Sequence, residues 1–148
     1  MKLTFRAIGF LVVAGLVVAA PAQSRDERLH LPIKDAMEAA VASGKLDKGV
    51  KMFFGKQKYA KAAGEYGTFT SNKKANFLGK SDKEACEHAF LSAIISLQER
   101  ARKERGNAVI GIISVYKNIE FSSETEYECG AGNVTGGVAL RGKMAKLK

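Results

Sequence analysis

The residues best able to do chemistry are Cys86 and Cys129, with an alternating row of glutamates, Glu124, Glu126 and Glu128. Two thiols can hold a soft metal, exchange electrons with another thiol, or pair as a disulfide, and spacing separates these uses. No C-x-x-C redox pair is present. Cys86 falls past the first turn of its expected helix, beyond where a helix N-terminus depresses a thiol pKa most. A metal site would need His88 beside Cys86, yet residues two apart leave a helix on different sides. His30 has no partner identifiable from the sequence. The remaining use is pairing, which requires the surrounding elements to aim both thiols at one place.

Other motifs are weaker. Gly137 to Lys143 satisfies most of a phosphate-binding loop, but Met144 stands where a magnesium-holding hydroxyl belongs and too few residues remain for the following helix. A strand with glycines near its ends is the better reading. On a strand the three glutamates would stand about 7 Å apart along one side, as expected of a solvated face. Asn133-Val134-Thr135 matches an N-glycosylation acceptor, relevant only in a cell that glycosylates exported proteins this way. No G-x-S-x-G elbow accompanies the serines, and no nicotinamide or flavin motif is found. The expectation is a non-enzyme with no catalytic residue, cofactor or metal.

The elements that would position the cysteines can be read from periodicity. Ser81-Asp82-Lys83-Glu84 is a capping box, and Cys86, Phe90, Ala93, Leu97 and Ala101, widened by Ala89 and Ile94, form one helical stripe that Gly106 ends. Before this long helix, Leu29, Leu31 and Ile33 alternate as a short strand or extended lead-in. Pro32 opens a short helix over Ile33 to Ser43, stopped by Gly44. Gly49 to Phe54 reads as a strand, Lys56 to Gly64 as a loop or broken turn, and Tyr66 to Phe77 as holding one strand near an edge. After the helix, Ala108 to Tyr116 is apolar on both faces, as in a covered central strand. Ser122 to Cys129 alternates strictly, with Thr125, Tyr127 and Cys129 inward. A glycine-rich turn then leads to a last strand, Val138 to Leu147.

These elements predict an α+β fold: a single small domain with a long helix packed on an antiparallel sheet, plus a short N-terminal helix. The last three strands would form a meander under the long helix. Both cysteines then face one core, and a Cys86–Cys129 disulfide is expected.

The first residues read differently. Lys2 and Arg6 precede an uncharged, mostly apolar stretch from Ala7 to Ala20, and Ala20-Pro21-Ala22 offers a signal-peptidase site. The apolar run, about 14 residues, is short of the roughly 20 needed to span a bilayer as a helix. Residues 1–22 are therefore expected to be a cleaved signal peptide. Residues 23–148 would be one α/β domain with no transmembrane segment, periplasmic or secreted. The chain has 148 residues and a formal charge of +9, of which +7 survives removal of Lys2 and Arg6. Such a charge favours anionic partners, here an envelope polymer, a lipid surface or an envelope protein, with no specific nucleic acid. Arg100, Arg102, Lys103 and Arg105, at the end of the long helix, are the candidate basic surface. They also complement the helix dipole.

Several runs together carry a resemblance: Leu31-Pro32-Ile33 with Asp35-Ala36-Met37, Lys45-Leu46-Asp47, Val50-Lys51-Met52-Phe53-Phe54-Gly55, Ser81 to Cys86, Gly106-Asn107-Ala108-Val109 and Glu128-Cys129. The chain resembles a family of small exported bacterial proteins often labelled excinuclease ATPase subunits. An excinuclease ATPase needs nucleotide loops, a signature helix and zinc-binding cysteine clusters in a much longer chain. The resemblance therefore implies an envelope protein and not a DNA-repair ATPase. The step from the long helix through Gly106-Asn107-Ala108-Val109 into a strand is also similar to the core of the Rcs stress-sensor lipoprotein and of YbjQ-type proteins. That similarity implies a helix on a small sheet and, as a second reading of function, partner signalling or envelope-stress sensing. An enzyme of unknown reaction is the third.

Overall fold

The structure is a computed structural model describing residues 24–148. The expected signal peptide, residues 1–22, lies outside the described residues. The fold is mixed α/β, with a curled six-stranded sheet and two helices. In chain order these are β1 (Asp26–Pro32), α1 (Ile33–Ala42), β2 (Lys51–Phe54), β3 (Ala62–Asn76), α2 (Asp82–Lys103), β4 (Ala108–Ser114), β5 (Glu126–Gly132) and β6 (Thr135–Leu147). A 3-10 turn, Tyr116–Asn118, follows β4.

β6 is the spine. One of its edges pairs antiparallel with β3 along most of their lengths; the other is shared between β4 and β5. β1 pairs antiparallel with β5, and β2 extends the sheet beyond β4.

Two expectations about the sheet need correction. It is not wholly antiparallel, because β2 runs parallel to β4. Parallel neighbours need a long crossover, and here β3 and α2 lie between them in the chain. Nor do the last strands form a simple meander, since β6 pairs with both β4 and β5. The segment joining β4 to β5 turns outward through Tyr116–Asn118, and only an isolated bridge, Ser114 to Phe121, links it back to β4.

β3 starts at Ala62, so part of the expected loop over Lys56 to Gly64 is strand. β5 likewise runs through Gly130 to Gly132, leaving Asn133 and Val134 as an exposed two-residue hairpin loop. The glycines of the phosphate-loop-like run lie within β6 and serve packing. A Cβ on Gly137 would meet the Lys73 carbonyl at 2.4 Å, and one on Gly142 would meet Val109 at 2.5 Å.

α2 supplies the core. Ser81 Oγ accepts from the Glu84 amide at 3.1 Å, satisfying one of the free donors of the first turn. Ala85–Cys86, Ala89–Phe90, Ala93–Ile94 and Leu97–Gln98 are buried pairs that recur every four residues, and Ala101 continues them as a broad stripe along the helix. The same apolar cluster includes Tyr127, Cys129 and Ala131 of β5 and Val138, Leu140 and Met144 of β6. Phe90 packs between Phe54, on which it stacks, and Tyr127, which is tilted against it, at ring-centroid distances of 6.0 and 4.5 Å. Each fully buried large side chain of this kind contributes about 1.5–3 kcal/mol.

α2 ends one residue earlier than glycine spacing suggests. Its left-handed residue is Arg105, at φ 60°, and the Arg105 and Gly106 amides donate to the Arg102 and Ala101 carbonyls. This is a Schellman arrangement with arginine in the position glycine usually takes. Gly106 is required for another reason: a Cβ there would stand 2.7 Å from the Ala145 carbonyl oxygen.

Cys86 and Cys129 form a disulfide with a Cα–Cα distance of 6.0 Å, and both residues are fully buried. It joins α2 to β5 across 43 residues of sequence. Closing a loop of that length stabilises a fold by about 4 kcal/mol in the chain-entropy treatment. Replacing both cysteines with alanine should therefore lower unfolding free energy by about 3–4 kcal/mol in urea titrations. A loss well under 1 kcal/mol would show that the bond adds little to a core already complete.

Candidate functional site

Two charged arrangements stand out, one closed and one open. The closed one lies on the face of β5 opposite the disulfide. Glu128 is only 4% exposed, so the expected solvated row of glutamates is corrected: Glu124 and Glu126 face water, whereas Glu128 does not. β1 explains the difference. His30 is the register partner of Glu128, and Arg28, two residues away, projects from the same side of the sheet. Arg28 Nη1 donates to Glu128 Oε1 at 2.8 Å, while His30 Nε2 lies 3.2 Å from Oε2. Phe121 stacks on His30 at 4.2 Å, and the Glu128 amide donates to Ser114 Oγ at 2.9 Å. Tyr116 presses onto Gly130, where a Cβ would fall 1.9 Å from its ring. Both carboxylate oxygens have a partner on β1 and the side chain is buried, so this network anchors β1. His30, with no identifiable partner in the sequence, finds one here.

The open arrangement lies at the other end of the molecule. Strand registers bring the C-terminus of α2, the loop over residues 43–50, and the beginnings of β2, β3 and β4 together with the end of β6. The Lys51 amide bonds to the Asn107 carbonyl, the Lys148 amide to the Lys61 carbonyl, and the Asn107 side chain to both backbone groups of Leu147. Lys45, Lys48, Lys51, Lys61, Lys103, Arg105, Lys146 and Lys148 all belong to this pole, and all are exposed. None of them makes an ion pair among the described residues. Of the nearby acids, Glu99 is exposed, while Asp47, Glu104 and Glu65 are tied to Arg102, Arg100 and Lys143.

The three arginines and one lysine singled out from the sequence therefore have different surroundings. Arg100 sits over the Phe69 ring, its Cζ 3.7 Å from the centroid, and pairs with Glu104. Arg102 grips Asp47 with Nε at 2.6 Å and Nη2 at 2.9 Å, lying against Gly49. Lys103 and Arg105 are exposed and have no partner acid among the described residues. The other cations of the pole are dispersed in sequence, so no local block announces them. His88 is exposed on α2, on a different side from buried Cys86.

The loop over residues 43–50 is held rigidly against α2. Gln98 is buried, accepting from the Asp47 amide at 2.9 Å and donating to the carbonyls of Asp47 and Val50 at 3.0 Å. The bond from Arg102, with help from the Gly49 amide, holds the Asp47 carboxyl down at about 2.

The chain matches no protein-family model, no curated protein and no solved structure. Among the described residues no helix is long and apolar enough to cross a membrane.

A depressed carboxylate pKa stabilises the fold at pH values above the unfolded value, and that contribution disappears as pH falls through the folded one. Asp47→Asn should therefore lower Tm at neutral pH. The difference from wild type should close as pH drops from about 4 to about 2, followed by circular dichroism. A gap that stays constant through that interval would show that the Arg102 contact does not act through charge.

Proposed function

We propose that the protein is an exported, non-enzymatic envelope protein whose basic pole docks on anionic lipid headgroups. The observation that carries this reading is the gathering of unpaired, exposed cations at one end of the fold. Ion pairs within a protein leave little field for a partner, and at this pole the nearby acids other than Glu99 are already occupied. A basic residue near an anionic membrane surface contributes about 1 kcal/mol, so several acting together suffice for reversible attachment without a spanning helix. A buried disulfide suits an oxidising compartment outside the cytosol, and the sequence of residues 1–22 supports export there.

Arg105 supports the same reading. Holding a non-glycine residue at positive φ costs about 1 kcal/mol, and the chain keeps an outward-facing arginine at a position where glycine would relieve it. Arg105→Gly should raise stability by about 0.5–1 kcal/mol and weaken attachment to phosphatidylglycerol vesicles in co-sedimentation. Attachment of the wild type should also fall steeply from about 0.1 M to about 1 M salt, as the screening length shrinks from about 10 to about 3 Å. Equal binding to phosphatidylcholine vesicles, or binding indifferent to salt, would contradict the proposal. Binding to acidic cell-wall polymer but not to vesicles would assign the pole to a polymer instead.

A further inference from the structure

Beside the basic pole lies a cleft of about 420 Å³, within the range of small-ligand sites. Its apolar lining comes from Met37 and Val41 of α1, Leu46 and Val50 of the following loop, and Met52 and Phe53 of β2. Val41 is 61% exposed, although it extends the buried face of its helix. Two methionines give the wall an unbranched, adaptable surface of the kind that accommodates flexible chains.

The polar groups of the lining define the occupant further. Gln98 has spent its side-chain hydrogen bonds on the Asp47 and Val50 backbone, and the Asp47 carboxylate is held by Arg102. Neither therefore offers a free hydrogen-bonding edge to a sugar or a nucleobase. Lys48 and Lys51 line the same cleft, exposed and without partner acids among the described residues. An apolar wall whose free charged side chains are cations is complementary to a hydrocarbon chain ending in an anion.

We propose that the cleft takes one acyl chain of an anionic lipid, with the lipid's phosphate on Lys48 and Lys51. This deepens the reading of the basic pole as a lipid-docking surface, and rests on it for the identity of the lipid. The loop that forms one wall is already fixed to α2 through Gln98 and Asp47, so the site needs little ordering to bind.

The test uses monomeric dodecyl phosphate, followed by calorimetry and by the methyl signals of the methionines in the full disulfide-bonded protein. Saturable binding of one molecule per chain is expected, with shifts at Met37 and Met52. Affinity should drop about fourfold for each methylene removed toward octyl phosphate. Dodecyl maltoside, which lacks the anion, should bind at least tenfold more weakly. Val41→Glu should abolish the binding. Lys48→Glu with Lys51→Glu, both at exposed positions, should weaken it at least tenfold while leaving the fold intact. Absence of saturation, indifference to chain length, shifts confined to residues away from the cleft, or a cleft closed by a second copy of the chain would each overturn the proposal.

A variant carrying Lys61→Glu, Lys103→Glu and Lys146→Glu separates the two ideas, because these positions lie on the pole but do not line the cleft. If it loses vesicle attachment and keeps dodecyl phosphate, both ideas stand. If wild type binds dodecyl phosphate but not vesicles, the surface reading alone fails. If it binds vesicles but not dodecyl phosphate, the acyl-chain site alone fails.

Discussion

The structure depends on one contact surface, the buried stripe of α2 against the sheet, chiefly β3 and β6, locked to β5 by the Cys86–Cys129 bond. Every residue of that stripe from Ala85 to Ala101 is at most 4% exposed. A domain of this size has a net stability of only several kcal/mol, so a covalent tie of about 4 kcal/mol between helix and sheet is a large share of it. The bond also fixes direction. With Cys86 near the start of α2 held to β5, the far end of the helix is delivered to the beginning of β4, where Arg105 and Gly106 make the turn.

That direction sorts charge along the molecule. Asp82, Glu84 and Glu87 stand on the early turns of α2, close to Asp35 at the start of α1 through Lys83. Such acids are favourable beside the positive end of a helix dipole, as are Arg100, Arg102 and Lys103 at the other end. The helix thus accounts for its own charges without any ligand. It does not account for Lys45, Lys48, Lys51, Lys61, Lys146 and Lys148, which come from other elements and reach the same end only through pairing of β2, β3, β4 and β6. Like charges brought together without acids repel, and that repulsion is relieved when an anionic surface approaches.

What was legible in the sequence follows from the range over which each signal acts. The cap at Ser81, the stripe from Cys86 to Ala101 and the inward side of Cys129 are local patterns of period 3.6 or 2, and the disulfide follows from their intersection. The parallel pairing of β2 with β4 left no such trace, because residues 55 to 107 intervene and no local spacing encodes register across them. Glu128 looked like its neighbours Glu124 and Glu126 for the same reason: its burial is imposed by Arg28 and His30, about a hundred residues earlier. The C-terminal basic run of α2 was visible, but half of it is consumed by Phe69, Glu104 and Asp47. The cations that complete the pole could not be assembled without strand register, nor could the cleft between α1 and β2.

If the protein is the surface-binding module proposed above, the placement of charge and not its amount must govern attachment. That requirement is tested most directly by comparing two variants of identical net charge in vesicle co-sedimentation. One carries Lys61→Glu, Lys103→Glu and Lys146→Glu at the pole; the other carries Lys73→Glu, Lys74→Glu and Lys80→Glu at the opposite end of the fold. The account predicts that the first loses attachment to phosphatidylglycerol vesicles and the second keeps it within a factor of about three. Equal losses in both would mean that bulk charge governs attachment, and the pole would have no role of its own.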